Sequence, residues 1–351
     1  MNNSEFNNYE EINFDFQPPM DTKKESETFS RIGIGLAALT LTVMLSSFVI
    51  IIVARLIENL SGISLVDNIW FANMISPICI YACGLPVLWM IIRRLPATAP
   101  EKRSMKLSAW LLILLVGLGM MYIGAYVGNS VMEGLSQYLG HQYENALEGL
   151  IDPGNLWISA IFMVVVAPVG EEFIFRKLLI DRMSKYGSVI AIVISALAFA
   201  LMHGTFYQFF YAFALGLVLG YVYFNTGKLY LTIGIHAALN FVGSILSSLL
   251  QNGLFNLTAD LEKATDANIV EVMSAHLPTV VAMIVFEIVV FGSMICAVVI
   301  PIAHRKRIII KNGEVDIPRG QRFSTVIMNT GMLIMLVVYA ITFILDLVPL
   351  A

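Results

Sequence analysis

Apolar runs of about 20 residues, the length at which a helix crosses the hydrocarbon core of a bilayer, recur through the chain and set its organisation. They extend roughly over residues 32–54, 69–92, 107–127, 156–183, 188–202, 206–224, 229–250, 279–303 and 326–348. The expected fold is therefore all-α, a polytopic membrane protein of about nine transmembrane helices. Pro77 and Pro86 are expected to kink the second run, and Pro168 with Gly170 to loosen the fourth. Gly216 and Gly220, spaced as Gly-x-x-x-Gly, read as a close helix-packing seam.

The cationic residues orient these helices. Arg93, Arg94, Lys102, Arg103 and Lys106 follow the second run, and Arg176, Lys177, Arg182 and Lys185 follow the fourth. Lys228 precedes the seventh, and a cluster from Arg305 to Arg322 separates the eighth from the ninth. The alternate loops are poor in cations: residues 133–152 hold none, and residues 251–278 only Lys263. Cationic loops stay in the cytoplasm, which places the N-terminus inside and the C-terminus outside. The chain divides into a disordered acidic tail (1–31), accessory helices one to three (32–155), a core of helices four to seven (156–250), an external linker (251–278) and accessory helices eight and nine (279–351). Residues 262–276 within the linker have the scattered apolar pattern of a surface helix.

Composition agrees with a bilayer protein. The chain is 58% hydrophobic and 13% charged, whereas a soluble domain carries about a quarter of its residues as charges. A net charge of −4 provides no basic surface for nucleic acid, so the expected surroundings are the lipid bilayer of the cell membrane and a partner within it. Cys79, Cys83 and Cys296 all fall in apolar runs and read as small buried hydrophobes, not a redox or metal pair.

Polar groups inside the runs are few, and an ionisable residue at membrane depth is a functional-site hypothesis by default. The fourth run carries Glu171, Glu172 and Arg176, the fifth ends in Phe199-Ala200-Leu201-Met202-His203, and the seventh contains His236 and Asn240. Glu287 and Asp346 are secondary. Glu172 and Arg176 are spaced i,i+4 with the acid first, the favourable order for an ion pair on one helix face. Glu171 lies about 100° away and is left for a partner on another helix. His236 and Asn240 share a face. Together these groups suffice for hydrolysis: a carboxylate to take a proton from water, histidines to orient that water, and an amide N–H for the oxyanion. Glu171, His203 and His236 also form a His₂Glu donor set of the kind that binds zinc. A proton relay in an ion-coupled transporter uses the same residue types, as does a catalytically silent immunity or scaffold protein. Tyr207, Tyr211, Tyr221 and Tyr223 read as packing or interface residues.

Glu-Glu-x-x-x-Arg (Glu171, Glu172, Arg176), Phe-x-x-x-His (Phe199, His203) and His-x-x-x-Asn (His236, Asn240), in that order on successive helices, resemble the CAAX protease and bacteriocin-processing family of intramembrane proteases. The resemblance covers about residues 156–250. It implies a glutamate-dependent endopeptidase acting on a membrane-associated protein or peptide, of CAAX or bacteriocin-leader type. Carried over, Glu171 and His203 activate water, His236 and Asn240 stabilise the oxyanion, and Glu172 and Arg176 support them. The family is described both as zinc metalloproteases and as metal-independent glutamate proteases, and both remain open for this chain.

One geometric demand follows. At 1.5 Å per residue His236 lies about 12 Å from the cytoplasmic edge and His203 about 24 Å. For these to meet, the break near Gly204 is expected to lie inside the bilayer, in a cavity expected to face the cytoplasm.

Overall fold

The computed structural model describes residues 22–143, 145, 150–151 and 155–348, which form helices and connecting turns with no strand among them. The helices in chain order are α1 (Lys23–Ser61), α2 (Ile69–Ile92), α3 (Leu107–Leu139), α4 (Leu156–Tyr186), α5 (Ser188–Met202), α6 (Phe206–Thr226), α7 (Leu229–Lys263), α8 (Ile269–Ala303) and α9 (Thr330–Asp346). Seven are long and apolar enough to cross a membrane, and α9 with the preceding Arg319–Val326, bent by 58°, makes an eighth candidate. The exception is α5: its 15 residues rise about 22 Å, short of a hydrocarbon core of about 30 Å. Bands of apolar side chains face outward, as on α8, where Ile284, Ile288, Phe291 and Ile295 are each more than half exposed. On helices long and apolar enough to span a bilayer, such a surface suits lipid. The chain is a multi-pass membrane protein.

Two expected boundaries move. The first helix begins at Lys23, so residues 23–31, expected as part of a disordered tail, are helical; residues 1–21 of that tail lie outside the described residues. Tertiary packing draws this polar turn into order: Phe29 is fully buried and its ring lies 4.9 Å from that of Tyr186. The expected linker 251–278 is likewise mostly helix, since α7 continues to Lys263 and α8 starts at Ile269. These extensions form a helical hairpin in which the His276 Nε2 stands 2.9 Å from the Asp260 Oδ2. Apolar length marks where a helix enters lipid, not where its hydrogen-bond ladder stops, so hydropathy clipped both helices.

Loops assigned to one side by charge meet in space. Thr98 N–H donates to Asp181 O (2.7 Å), Arg103 N–H to Thr226 O (2.9 Å) and Val315 N–H to Lys185 O (3.0 Å), joining the cation-rich loops. At the other end Tyr143 OH donates to Leu347 O (3.0 Å) and Asn73 Nδ2 to Leu150 O (3.2 Å). The molecule thus has a cation-rich end and a cation-poor end.

Within lipid, helices associate through close packing rather than through loss of contact with water. Small residues therefore locate the seams. A β-carbon on Gly216 would overlap Ala196, and one on Gly220 would crowd Ile192, so α5 and α6 approach there as the Gly-x-x-x-Gly spacing predicts. The turn after α5 is closed by Gly204 at φ +70°, a left-handed conformation. It lies beside Thr342, one turn from the end of α9, so the break is held within protein.

Candidate active site

The site begins with departures from regular α-helix in α4 and α7. Pro168 has no N–H to return to Val164 O, and wider π-helical turns occupy Ile161–Val166 and Phe173–Ile180 on either side of the acidic pair. A third, Phe241–Leu246, follows Asn240 in α7. Such turns re-aim side chains and concentrate at functional sites.

The two adjacent glutamates point to different surroundings. The Glu172 side chain is fully buried, and its Oε2 stands 3.1 Å from Arg176 Nε, also fully buried. The contact is electrostatic without good hydrogen-bond alignment, and the Arg176 Nη atoms find no acceptor among the described residues. The guanidinium instead lies over the Phe199 ring, with Cζ 4.9 Å from its centroid, a cation–π contact strengthened by burial. The other oxygen of Glu172 accepts from His236 Nδ1 at 3.0 Å. Glu172 therefore serves two partners, where the helical spacing alone indicated one.

Glu171 keeps 17% side-chain exposure and faces a cavity of about 440 Å³, within the range of small-molecule and peptide sites. Its Oε2 is 3.6 Å from His236 Nε2, within ion-pair reach but too long for a hydrogen bond. His203, at the C-terminus of α5, donates from Nδ1 to Phe199 O at 2.8 Å. A carbonyl and a carboxylate can only accept, so both imidazoles carry hydrogen on Nδ1, and in the neutral ring Nε2 is the lone-pair atom. Phe199 fixes their spacing: its ring stands 4.9 Å from His203 and 5.7 Å from His236, nearly perpendicular to each. Asn240 donates one Nδ2 hydrogen to Met163 O at 2.8 Å, which leaves its second N–H.

Glu171, His203, His236 and Asn240 thus line one cavity, brought from α4, the α5–α6 turn and α7. Glu172 and Arg176 lie beneath it. Glu287 and Asp346 do not line it.

Other lining residues were not assigned to the site from sequence. Tyr81 of α2 rests on Gly170, where a β-carbon would overlap its ring, and its hydroxyl donates to Ala167 O at 3.3 Å. Tyr207 and Tyr211, expected as packing residues, face the cavity, and Tyr211 OH donates to Gln208 Oε1 at 3.0 Å. The one available hint is the i,i+4 spacing of Tyr207 and Tyr211, which puts them on one face with Gln208 nearby. Tyr223 is a packing residue, donating to Asp181 Oδ1 at 2.8 Å.

The chemistry of Glu171, His203 and His236 suits zinc, but the geometry is not that of a preassembled centre. Among the described residues no three His, Cys, Asp or Glu side chains stand close enough to hold one ion. Ligand distances of about 2.0–2.2 Å would require these side chains to move.

Residues 153–242 match the family model for type II CAAX prenyl endopeptidase Rce1-like proteins. This segment is CAAX-protease-like. It contains every motif residue above. A curated relative, UPF0177 protein YbdJ of Lactococcus lactis subsp. lactis (strain IL1403), is 28% identical over 140 residues, covering 37% of this chain and 61% of that protein. The chain therefore spans less than two thirds of that relative. No solved structure matches the chain. The CAAX-protease-like segment runs from the start of α4 into α7, so α1–α3 and most of α7–α9 are a frame around it.

Proposed function

We propose that this protein is an intramembrane endopeptidase of the cell membrane that hydrolyses a peptide bond in a membrane-associated protein or peptide of CAAX or leader type. The observation that carries the reading is the meeting of Glu171, His203, His236 and Asn240 on one cavity, two of them with anchored ring orientations.

Glu171 takes a proton from a water molecule that His203 Nε2 also orients as acceptor, and the water oxygen bonds to the scissile carbonyl carbon. The oxyanion receives the second N–H of Asn240 and, when His236 is protonated, its Nε2–H. Glu172 holds His236 by its Nδ1, and Arg176 offsets the charge of Glu172. The C–N bond then breaks as Glu171 returns its proton to the leaving amine. Were zinc bound, Glu171, His203 and His236 would be its ligands, and it would supply a more acidic water.

The test is cleavage of a membrane-tethered peptide library by purified protein, with Glu171→Gln and His236→Ala variants, with and without chelator. Wild-type cleavage well above both variants is expected. Equal product from all three would overturn the reading, and loss with chelator restored by zinc would assign the metal mechanism.

A further inference from the structure

The cavity extends from the catalytic groups in one direction only. Glu171 is the midpoint of α4 (Leu156–Tyr186). Along α4 the lining begins at Phe162 and stops at Phe175, one turn past Glu171. Along α7 it begins at His236 and continues to Ser244; along α3 it begins at Met121 and continues to Asn129. All of these run toward the cation-poor end, where Asn145 and Leu150 complete the wall. On the other side packed side chains floor the cavity: from Ile174 to Met183 every residue but Lys177 is buried, and the separate hollow at the cation-rich end, bounded by Lys102, Phe173, Lys177 and Lys228, shares no lining residue with it. Arg182 closes that side, donating to Ile92 O (3.0 Å) and Leu178 O (2.9 Å).

The cation-rich loops are the cytoplasmic ones by the charge rule. We infer that the catalytic cavity is reached from the extracytoplasmic face, and that the substrate is an uncharged internal peptide segment presented there. This reverses the cytoplasm-facing cavity expected from sequence. The substrate half rests on the proteolytic reading and narrows it from CAAX or leader type to the internal, leader-type segment; the direction of access does not rest on it. Carboxamides and hydroxyls of Asn129, Gln208, Ser76 and Ser244 line the route and suit the polar backbone of an extended peptide. Among the described lining residues Glu171 is the single carboxylate, and no Lys or Arg is present. A free C-terminal carboxylate would enter without a counter-charge, which disfavours it against an internal segment.

The test uses the full chain in cells, in a background carrying Cys79→Ala, Cys83→Ala and Cys296→Ala. Single thiols are placed in the cavity (Ser76→Cys or Ser244→Cys) and in a cation-rich loop (Lys102→Cys). A membrane-impermeant methanethiosulfonate is applied to spheroplasts and to inverted vesicles. Cavity thiols are expected to react at least about tenfold faster in spheroplasts, and Lys102→Cys at least about tenfold faster in inverted vesicles. Cavity thiols that react from the inside, equally from both sides or from neither overturn the inference, as does Lys102→Cys reacting from outside. Single-pass reporters then carry the same cleavable peptide on either face. Cleavage confined to the outer reporter is expected, and cleavage of the inner one overturns the substrate assignment. Cleavage of neither, with labelling as expected, overturns the proteolytic reading and the substrate assignment while leaving the direction of access standing.

Discussion

The two halves of α4 differ sharply, and it is the half carrying Arg176, Lys177, Asp181 and Arg182 that is packed. From Ile161 to Val166 no residue is buried, while from Ile174 to Met183 nearly all are. The second half is tied to its neighbours: Ser195 Oγ donates to Phe175 O at 2.7 Å, and Asp181 accepts from Tyr223 and pairs with Lys177 at 2.7 Å. The first half borders the cavity at Phe162, Met163 and Ala167 and turns Ile161 and Val165 to lipid. The acidic pair sits at the junction, so Glu172 belongs to the packed half and Glu171 to the open one. A catalytic group needs a rigid floor to fix its geometry and an open roof to admit substrate, and one residue step along a helix separates the two.

This contrast can be broken at either glutamate. Glu171→Gln keeps size but removes the proposed base, and is expected to lower cleavage about 10²–10⁴-fold with little change in thermal stability, read by turnover of a tethered peptide and by unfolding of the detergent-solubilised protein. Arg176→Leu strikes the packed half. It leaves the Glu172 carboxylate uncompensated and is expected to cost about 3–5 kcal/mol, seen as a fall in Tm; adding Glu172→Gln should restore much of it, because the buried charge is then gone. If the double variant is no more stable than Arg176→Leu, the pair does not brace the packed half.

Gly170→Ala probes the junction. The added methyl displaces the Tyr81 ring, at a cost expected to be about 1–3 kcal/mol, with a decrease in turnover measurable in the same assay. The smallest effect is expected from Asn129→Ala at the cavity mouth: a stability change within about 0.5 kcal/mol and unchanged binding of Glu172 to its partners. A large loss of stability from Asn129→Ala would show that the open half is as tightly packed as the closed one.

The helices, their order and their alternation between faces were legible because each follows from local rules: a run of apolar residues must satisfy its backbone internally, and charge resists transfer. The i,i+4 spacing likewise placed Glu172 with Arg176 and His236 with Asn240 before any fold was known. What spacing leaves open is anything that depends on a second helix. That Glu172 also accepts from His236, that Phe199 stands between two imidazoles, and that Tyr81 covers Gly170 are contacts between helices far apart in the chain. Helix ends beyond the lipid-facing runs, at Lys23 and Lys263, are set by packing and not by hydropathy.

The sequence by itself determined an all-helical membrane protein with a small set of polar groups too costly to be incidental, because both conclusions rest on the price of charge in lipid. Only the tertiary structure decided how Glu171 and Glu172 divide their work and on which side of them the cavity lies. Periodicity fixes the face a side chain occupies on its own helix; which faces meet, and where they fail to meet and leave space, depends on the joint packing of all the described helices.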